Sequence, residues 1–170
     1  MDIEKPKSLE NKNKELIKNS DISVNQENNL AVVVIKPDAF AKKELIIKML
    51  EDSGLGIVKT ITKELPENFV LKAMYKDLPT GLEEETFKHF NSGPSEIVLL
   101  RGGEDLLQKI IALTGDKTNP EECDEKTIRY LFGEHFGRDT ENGQYFRNAI
   151  HRASTKEEQI EDLEKFRTLP

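Results

Sequence analysis

The stretch Leu30-Ala-Val-Val-Val-Ile-Lys-Pro-Asp38 decides how this chain folds. From Ala31 to Ile35 it is an unbroken apolar run dominated by β-branched residues. A strand with one wet face alternates apolar and polar residues, so a continuous run this short marks a strand buried on both faces. Lys36-Pro37-Asp38 ends it. Proline fixes its own φ, offers no N–H to a ladder, and keeps the preceding residue extended. Lys36 is therefore expected at the carboxyl end of a buried strand, at the rim of a sheet.

The downstream pattern alternates strands and helices. Leu45, Ile46, Met49 and Leu50 form one stripe of an amphipathic helix that Gly54 ends. Residues 56–65 read as a second strand. The glycines at 54 and 56 with Lys59 superficially suggest a phosphate loop, but their spacing is wrong and the lysine falls inside the strand. Two short helical patterns follow, 67–77 and 82–91, parted by Pro79 and Gly81, with Tyr75 near the end of the first. Ser92-Gly93-Pro94 breaks the chain before a third strand, Glu96–Leu100. Leu106, Leu107, Ile110 and Ile111 mark a helix closed by Gly115. From Asp116 to Tyr145 the chain is polar and loop-rich, and a connection that long inside a compact domain is commonly functional.

The loop delivers the chain to Phe146-Arg-Asn-Ala-Ile-His151. Strict alternation would put Phe146, Asn148 and Ile150 on one face of a fourth strand, with Arg147, Ala149 and His151 on the other. Ser154 and Glu157 then form a capping-box pattern opening a last helix over 155–166. His151 thus sits at a strand–helix junction, and imidazole is the side chain best suited to accept a phosphoryl or acyl group near neutral pH. The order of elements predicts an α+β fold: a ferredoxin-like βαββαβ four-stranded antiparallel sheet, helices packed on one side, and a long loop before the last strand. Residues 1–29, rich in Asn, Lys and Glu, read as a disordered or loosely helical tail, with a short amphipathic helix around Leu9–Ile17 as an alternative. The folded domain is expected to run from 30 to 170.

Several segments together resemble the nucleoside diphosphate kinase family. Val34-Ile-Lys36-Pro37-Asp38, Ser92-Gly93-Pro94, Thr118-Asn-Pro, Thr127-Ile-Arg129 and Asn148-x-x-His151 stand in that family's order and approximate spacing, over residues 31 to about 166. The resemblance implies a ping-pong enzyme that moves the γ-phosphate of a nucleoside triphosphate to a nucleoside diphosphate through a phosphohistidine on His151. It implies catalytic roles for Lys36 and Tyr75, and nucleotide contacts from Lys36, Leu82, Thr118, Arg129 and Asn148. It also implies Mg²⁺ carried by the nucleotide, with no metal bound by the protein itself, and a homo-oligomer. Asn148 would hold the ribose, a role in tension with its place on the strand face opposite His151 unless the strand ends or bulges between them.

The departures from the family are specific. Leu82 stands where an aromatic residue usually covers the base. Ile111 or Ala112 stands where the family has an arginine, leaving Lys109 or Lys117 as substitutes. Arg152-Ala153-Ser154 replaces the Gly-Ser after the histidine, so Ser154 with Glu161, or Asp162, would have to orient the imidazole. These departures motivate an alternative: a degenerate nucleotide-binding or interaction module of the same fold, with weak or no catalysis.

Composition narrows the classes further. The 170 residues are 36% hydrophobic and 34% charged, with a formal net charge of -7, which argues against a nucleic-acid-coating protein. Strands carrying Val, Ile and Leu instead of stacked aromatics argue against RNA recognition on the sheet. The single cysteine, Cys123, forms no intramolecular disulfide, and no apolar run is long enough to span a membrane. A cytoplasmic enzyme with no membrane partner is the expectation.

Overall fold

A computed structural model describes residues 29–76 and 78–169. The expected tail, with its helix around Leu9–Ile17, lies outside the described residues apart from Asn29.

The first strand, β1 (Leu30–Ile35), has all six residues buried. A 3-10 segment, Pro37–Lys42, leads from it into α1 (Lys43–Asp52), which ends at Gly54 with φ 93°. β2 (Gly56–Lys63) follows, then a single wide helical turn over Phe69–Met74 and α2 (Thr80–Phe90). β3 (Ser95–Arg101) and α3 (Leu106–Thr114) come next. The expected loop carries structure of its own: α4 (Ile128–Phe132) and a hairpin of β4 (Arg138–Thr140) with β5 (Gly143–Tyr145). The chain closes with β6 (Ile150–His151) and α5 (Lys156–Arg167).

The sheet order is β2-β3-β1-β6, antiparallel throughout, with β1 at the centre against β3 on one side and β6 on the other. This is the expected ferredoxin-like arrangement, with one correction. Helices cover both faces, not one. Ala31, Val33 and Ile35 pack with Ile46 and Leu50 of α1 and Leu106 and Ile110 of α3. Leu30, Val32 and Val34 pack with Val70 and Met74, with Phe90 of α2, and with Leu163 and Phe166 of α5. Side chains alternate across a strand, so an unbroken apolar run demands a cover on each side. Among the described residues no helix is long and apolar enough to cross a membrane.

A second correction concerns the stretch before His151. The expected strand over 146–150 shrinks to Ile150–His151, registered opposite Ile35 and Val34. Ala149 has φ 71°, and the Ile150 N–H donates to the Asn148 carbonyl at 2.8 Å, which closes a three-residue γ-turn. Such backbone costs about 1–3 kcal/mol in a non-glycine residue and persists only where its surroundings hold it. Both polar backbone groups of Ala149 are held. Its N–H donates to Asp38 Oδ2 at 2.9 Å, and its carbonyl accepts from the Lys36 N–H at 2.8 Å.

Candidate active site

Four elements converge on a cleft of about 540 Å³ at the rim of the sheet. Lys36 reaches it from the end of β1, Tyr75 from the turn before α2, Thr118 and Arg129 from the long connection, and Asn148 and His151 from the γ-turn and β6. Leu82 also lines it, from the first turn of α2. The structure therefore gathers Lys36, Tyr75, Leu82, Thr118, Arg129, Asn148 and His151 into one place.

The γ-turn removes the tension over Asn148. It redirects the chain between Asn148 and His151, so both side chains enter the same cleft although alternation would separate them. Asn148 Oδ1 accepts from Lys36 Nζ at 2.8 Å, and its Nδ2 donates to the Thr118 carbonyl at 3.0 Å. One amide thus ties the ends of two strands and the loop together.

His151 is nearly buried, its side chain 12% exposed, and its Nε2 lies 3.0 Å from Asp162 Oδ2 on α5. A carboxylate accepts only, so Nε2 carries the proton in the neutral ring and Nδ1 keeps the lone pair. The Tyr75 ring packs edge-on against the imidazole, centroids 5.3 Å apart. Here the expectation for the orienting pair is corrected. Glu161 is exposed and faces Lys165, while Asp162, one residue on, points inward with Leu163. Ser154 does not touch the histidine: its hydroxyl accepts from Arg152 Nη1 at 2.8 Å. The capping box is also shifted by one. Thr155 accepts from the Glu158 N–H, and the Glu158 carboxylate accepts from the Ser154 N–H. Because α5 starts one residue later than expected, the acid on its inner face is Asp162.

The cationic groups are buried. Lys36 is 5% exposed, and burial, helped by the nearby Arg129 guanidinium, lowers its amine to about 7. Burial and the neighbouring Arg152 bring Arg129 down to about 10, which leaves it charged at neutral pH. Arg129 donates to the carbonyls of Lys117 (2.9 Å) and Ile150 (3.3 Å), so it braces the loop against β6.

Arg152, whose position the sequence marked only as a departure, lines the same cleft. Its Nη2 donates to the Gly115 carbonyl at 2.7 Å and its Nε to Thr114 Oγ1 at 3.2 Å, at the end of α3. Lys109 and Lys117 are corrected as substitutes for the absent arginine: they pair with Asp105 and Asp116 at the surface. Arg152 supplies the second buried guanidinium from the other side. Gly115 leaves room for Cys123 and Arg129 to pack against it. Its φ is 110°, and a Cβ there would lie 2.7 Å from Cys123 Sγ. Asp162 and Arg152 were legible only as acid and base near a histidine, since helix phase decides what they reach.

A change of Asp162 to Asn tests the histidine contact. Hydrogen bonds to charged groups contribute about 1.5–3 kcal/mol, so any reaction that puts positive charge on the ring should slow roughly ten- to hundredfold. Steady-state kinetics with a thermal midpoint measured alongside check it, and an unchanged rate would remove Asp162 from the site.

The family model described as nucleoside diphosphate kinase matches residues 29–167. The chain is 30% identical over 118 residues to a nucleoside diphosphate kinase of Persephonella marina, covering 66% of this chain and 80% of that one. It is 33% identical over 114 residues to one of Chlamydia trachomatis, covering 65% and 78%. Among solved structures it resembles a transition-state mimic of nucleoside-diphosphate kinase from Borrelia burgdorferi, with bound vanadate and ADP. That match has a TM-score of 0.66 at 18% identity and covers 80% of this chain and 84% of that one. An NDP kinase from Pyrobaculum aerophilum matches at TM-score 0.65, again at 18% identity, covering 81% and 94%. With a matching family model across most of its length and the family's fold, this chain belongs to the nucleoside diphosphate kinase family of phosphotransferases.

Proposed function

We propose that the protein is an active nucleoside diphosphate kinase working through a phosphohistidine on His151. The observation that carries this reading is the imidazole whose Nε2 is occupied by buried Asp162 while Nδ1 has no hydrogen-bond partner among the described residues. It stands in a cleft with Lys36, Arg129 and Arg152. In the first half-reaction the Nδ1 lone pair attacks the γ-phosphorus, and the bond from that phosphorus to the bridging oxygen breaks. The nucleoside diphosphate leaves with the electron pair. In the second, a terminal oxygen of another nucleoside diphosphate attacks the phosphohistidine and the P–N bond breaks. Asp162 offsets the positive charge that the ring acquires as the P–N bond forms.

Phosphoryl transfer depends chiefly on positioning and on charge placed against the phosphate oxygens. Lys36, Thr118, Arg129 and Arg152 supply that charge and hydrogen bonding, Asn148 offers its amide to the ribose, and Tyr75 keeps the ring in place. The cleft is lined by Lys36, Lys76, Arg129, Arg152 and Lys165 together with Asp116, Glu158, Glu161 and Asp162. Family membership supports Mg²⁺ arriving on the nucleotide's phosphates, where it would neutralise part of their charge. A homo-oligomer and a cytoplasmic location belong to the same proposal, supported by family membership.

The test is incubation with Mg²⁺ and γ-labelled ATP. An acid-labile, base-stable phosphoprotein is expected, and label should pass to added nucleoside diphosphate. Nucleotide binding by calorimetry without any label uptake would select the degenerate binding module instead.

Leu82 makes a second prediction. It covers the base with an aliphatic side chain where an aromatic ring would add stacking worth about 0.5–1.5 kcal/mol. Leu82→Phe should lower the nucleotide KM roughly two- to tenfold with little change in kcat. A KM that rises would show that the base does not lie against α2.

A further inference from the structure

A hydrogen-bonded chain runs from Tyr145, in the wall of the cleft, into the interior and takes no part in the steps above. His89, fully buried at the end of α2, lies between Asp38 and Tyr145: Nε2 is 2.7 Å from Asp38 Oδ1, and Nδ1 is 2.8 Å from the Tyr145 hydroxyl. Burial drives His89 toward its neutral form, holds the Tyr145 phenol protonated, and is outweighed at Asp38 by the histidine and Ala149 bonds, which keep the carboxyl ionised. Only one tautomer then satisfies every group. Tyr145 donates to Nδ1, Nε2–H donates to Asp38 Oδ1, and the Ala149 N–H donates to Asp38 Oδ2. The far end of the chain is the last residue of β5, and that hairpin presses on α2 so closely that a Cβ on Gly81 would lie 2.9 Å from Thr140 Cβ.

We propose that Tyr145, His89 and Asp38 form a positioning relay that holds the strained Ala149 turn and so aims Asn148 and His151. This rests on the kinase reading for its catalytic consequence, but not for its structural one. A γ-turn at φ 71° is not a resting state for alanine, and Asp38 Oδ2 is the acceptor that fixes its N–H. Asp38 in turn is fixed by His89, whose ring orientation and tautomer are set by the Tyr145 hydroxyl. The β4–β5 hairpin is thereby joined through three side chains to the backbone carrying the nucleophile.

The experiment compares Tyr145→Phe, His89→Leu and His89→Gln in the full chain. Three readouts are needed: hydrogen exchange of the Ala149 amide, kcat and KM, and the thermal midpoint. Tyr145→Phe removes one hydroxyl and should keep a midpoint near that of the wild type. Its Ala149 exchange should rise about tenfold and kcat fall about tenfold, with KM changed less than about twofold, because the hydroxyl bonded to His89 is lost while the ring keeps its place in the cleft wall. His89→Leu should show larger changes in the same direction. His89→Gln, whose amide both donates and accepts, should recover most of the loss. Ala149 exchange unchanged in Tyr145→Phe and in both His89 variants would overturn the relay, as would Gln behaving no better than Leu. If the wild type takes up no phosphate the kinase reading fails, and Ala149 exchange still decides whether the relay exists.

Discussion

His151→Ala should take up no phosphate from Mg²⁺-ATP and lose turnover by on the order of 10⁴-fold or more, the scale seen when a covalent nucleophile is removed. The chain has three histidines, which makes the assignment sharp. His89 is fully buried and both its ring nitrogens are engaged. His135 sits with its Nε2 2.6 Å from the Tyr130 carbonyl, outside the cleft lining. Neither can stand in for a ring with one nitrogen held by Asp162 and the other open. Label persisting on His151→Ala would place the nucleophile elsewhere and end this mechanism. The variant should fold, since β6 is held through backbone pairing with Val34 and Ile35, and Lys165 lies 3.9 Å from the Asp162 carboxylate left behind.

Lys36→Met should cost transfer about 10²–10³-fold, the usual effect of deleting one preorganised donor to developing charge. The same change should stabilise the free protein, and the pH at which it does so follows from the amine's shift. In the folded chain Lys36 sits at about 7, against its ordinary value of 10.5 when unfolded. Below pH 7 both states carry the charge, so folding bears the whole cost of burying it. Between about 7 and 10.5 the unfolded chain binds the extra proton, and stability rises with pH. Lys36→Met is thus expected to gain on the order of a few kcal/mol over wild type near pH 6, with the gain fading by pH 10. Denaturant unfolding at the two pH values measures it, and an equal difference at both would show that burial does not depress the amine. Phosphate oxygens in the cleft favour the ammonium form, so nucleotide binding to wild type near pH 8 should take up protons, visible as a buffer-dependent binding enthalpy. Lys36→Met should show less uptake.

The two experiments probe one design. The cleft draws Lys36 and His151 from strand ends and Tyr75, Thr118, Arg129 and Asn148 from turns, the loop and a short helix, and its cations Lys36, Arg129 and Arg152 are buried. Burial of Lys36 and Arg129 costs stability in the free protein, and under the proposed function it strengthens their grip on the nucleotide's phosphates.

Much of this was legible in the residues. The apolar run Ala31–Ile35 marks a strand buried on both faces, although the element order put helices on one side only, and Lys36-Pro37-Asp38 places a lysine at its rim, because alternation and proline's fixed φ are local. The histidine at the junction of β6 and α5 followed in the same way. Long-range partners did not follow. Whether Glu161 or Asp162 faces His151 depends on one residue of helix phase, about 100° of rotation, which the cap at Thr155 sets. Arg152 reaches Gly115 and Thr114 only because α3 ends beside β6.

The sequence by itself determined the sheet, its buried centre and the identity of the groups available for chemistry, since those depend on local pattern and side-chain type. Only the tertiary structure decided which groups act together. The γ-turn at Ala149 breaks the alternation that would have kept Asn148 and His151 apart, and it is held there by Asp38, 111 residues earlier in the chain. A positive φ in alanine has no local signature, because its cost is met by contacts that exist only after β1, α2 and the hairpin have packed.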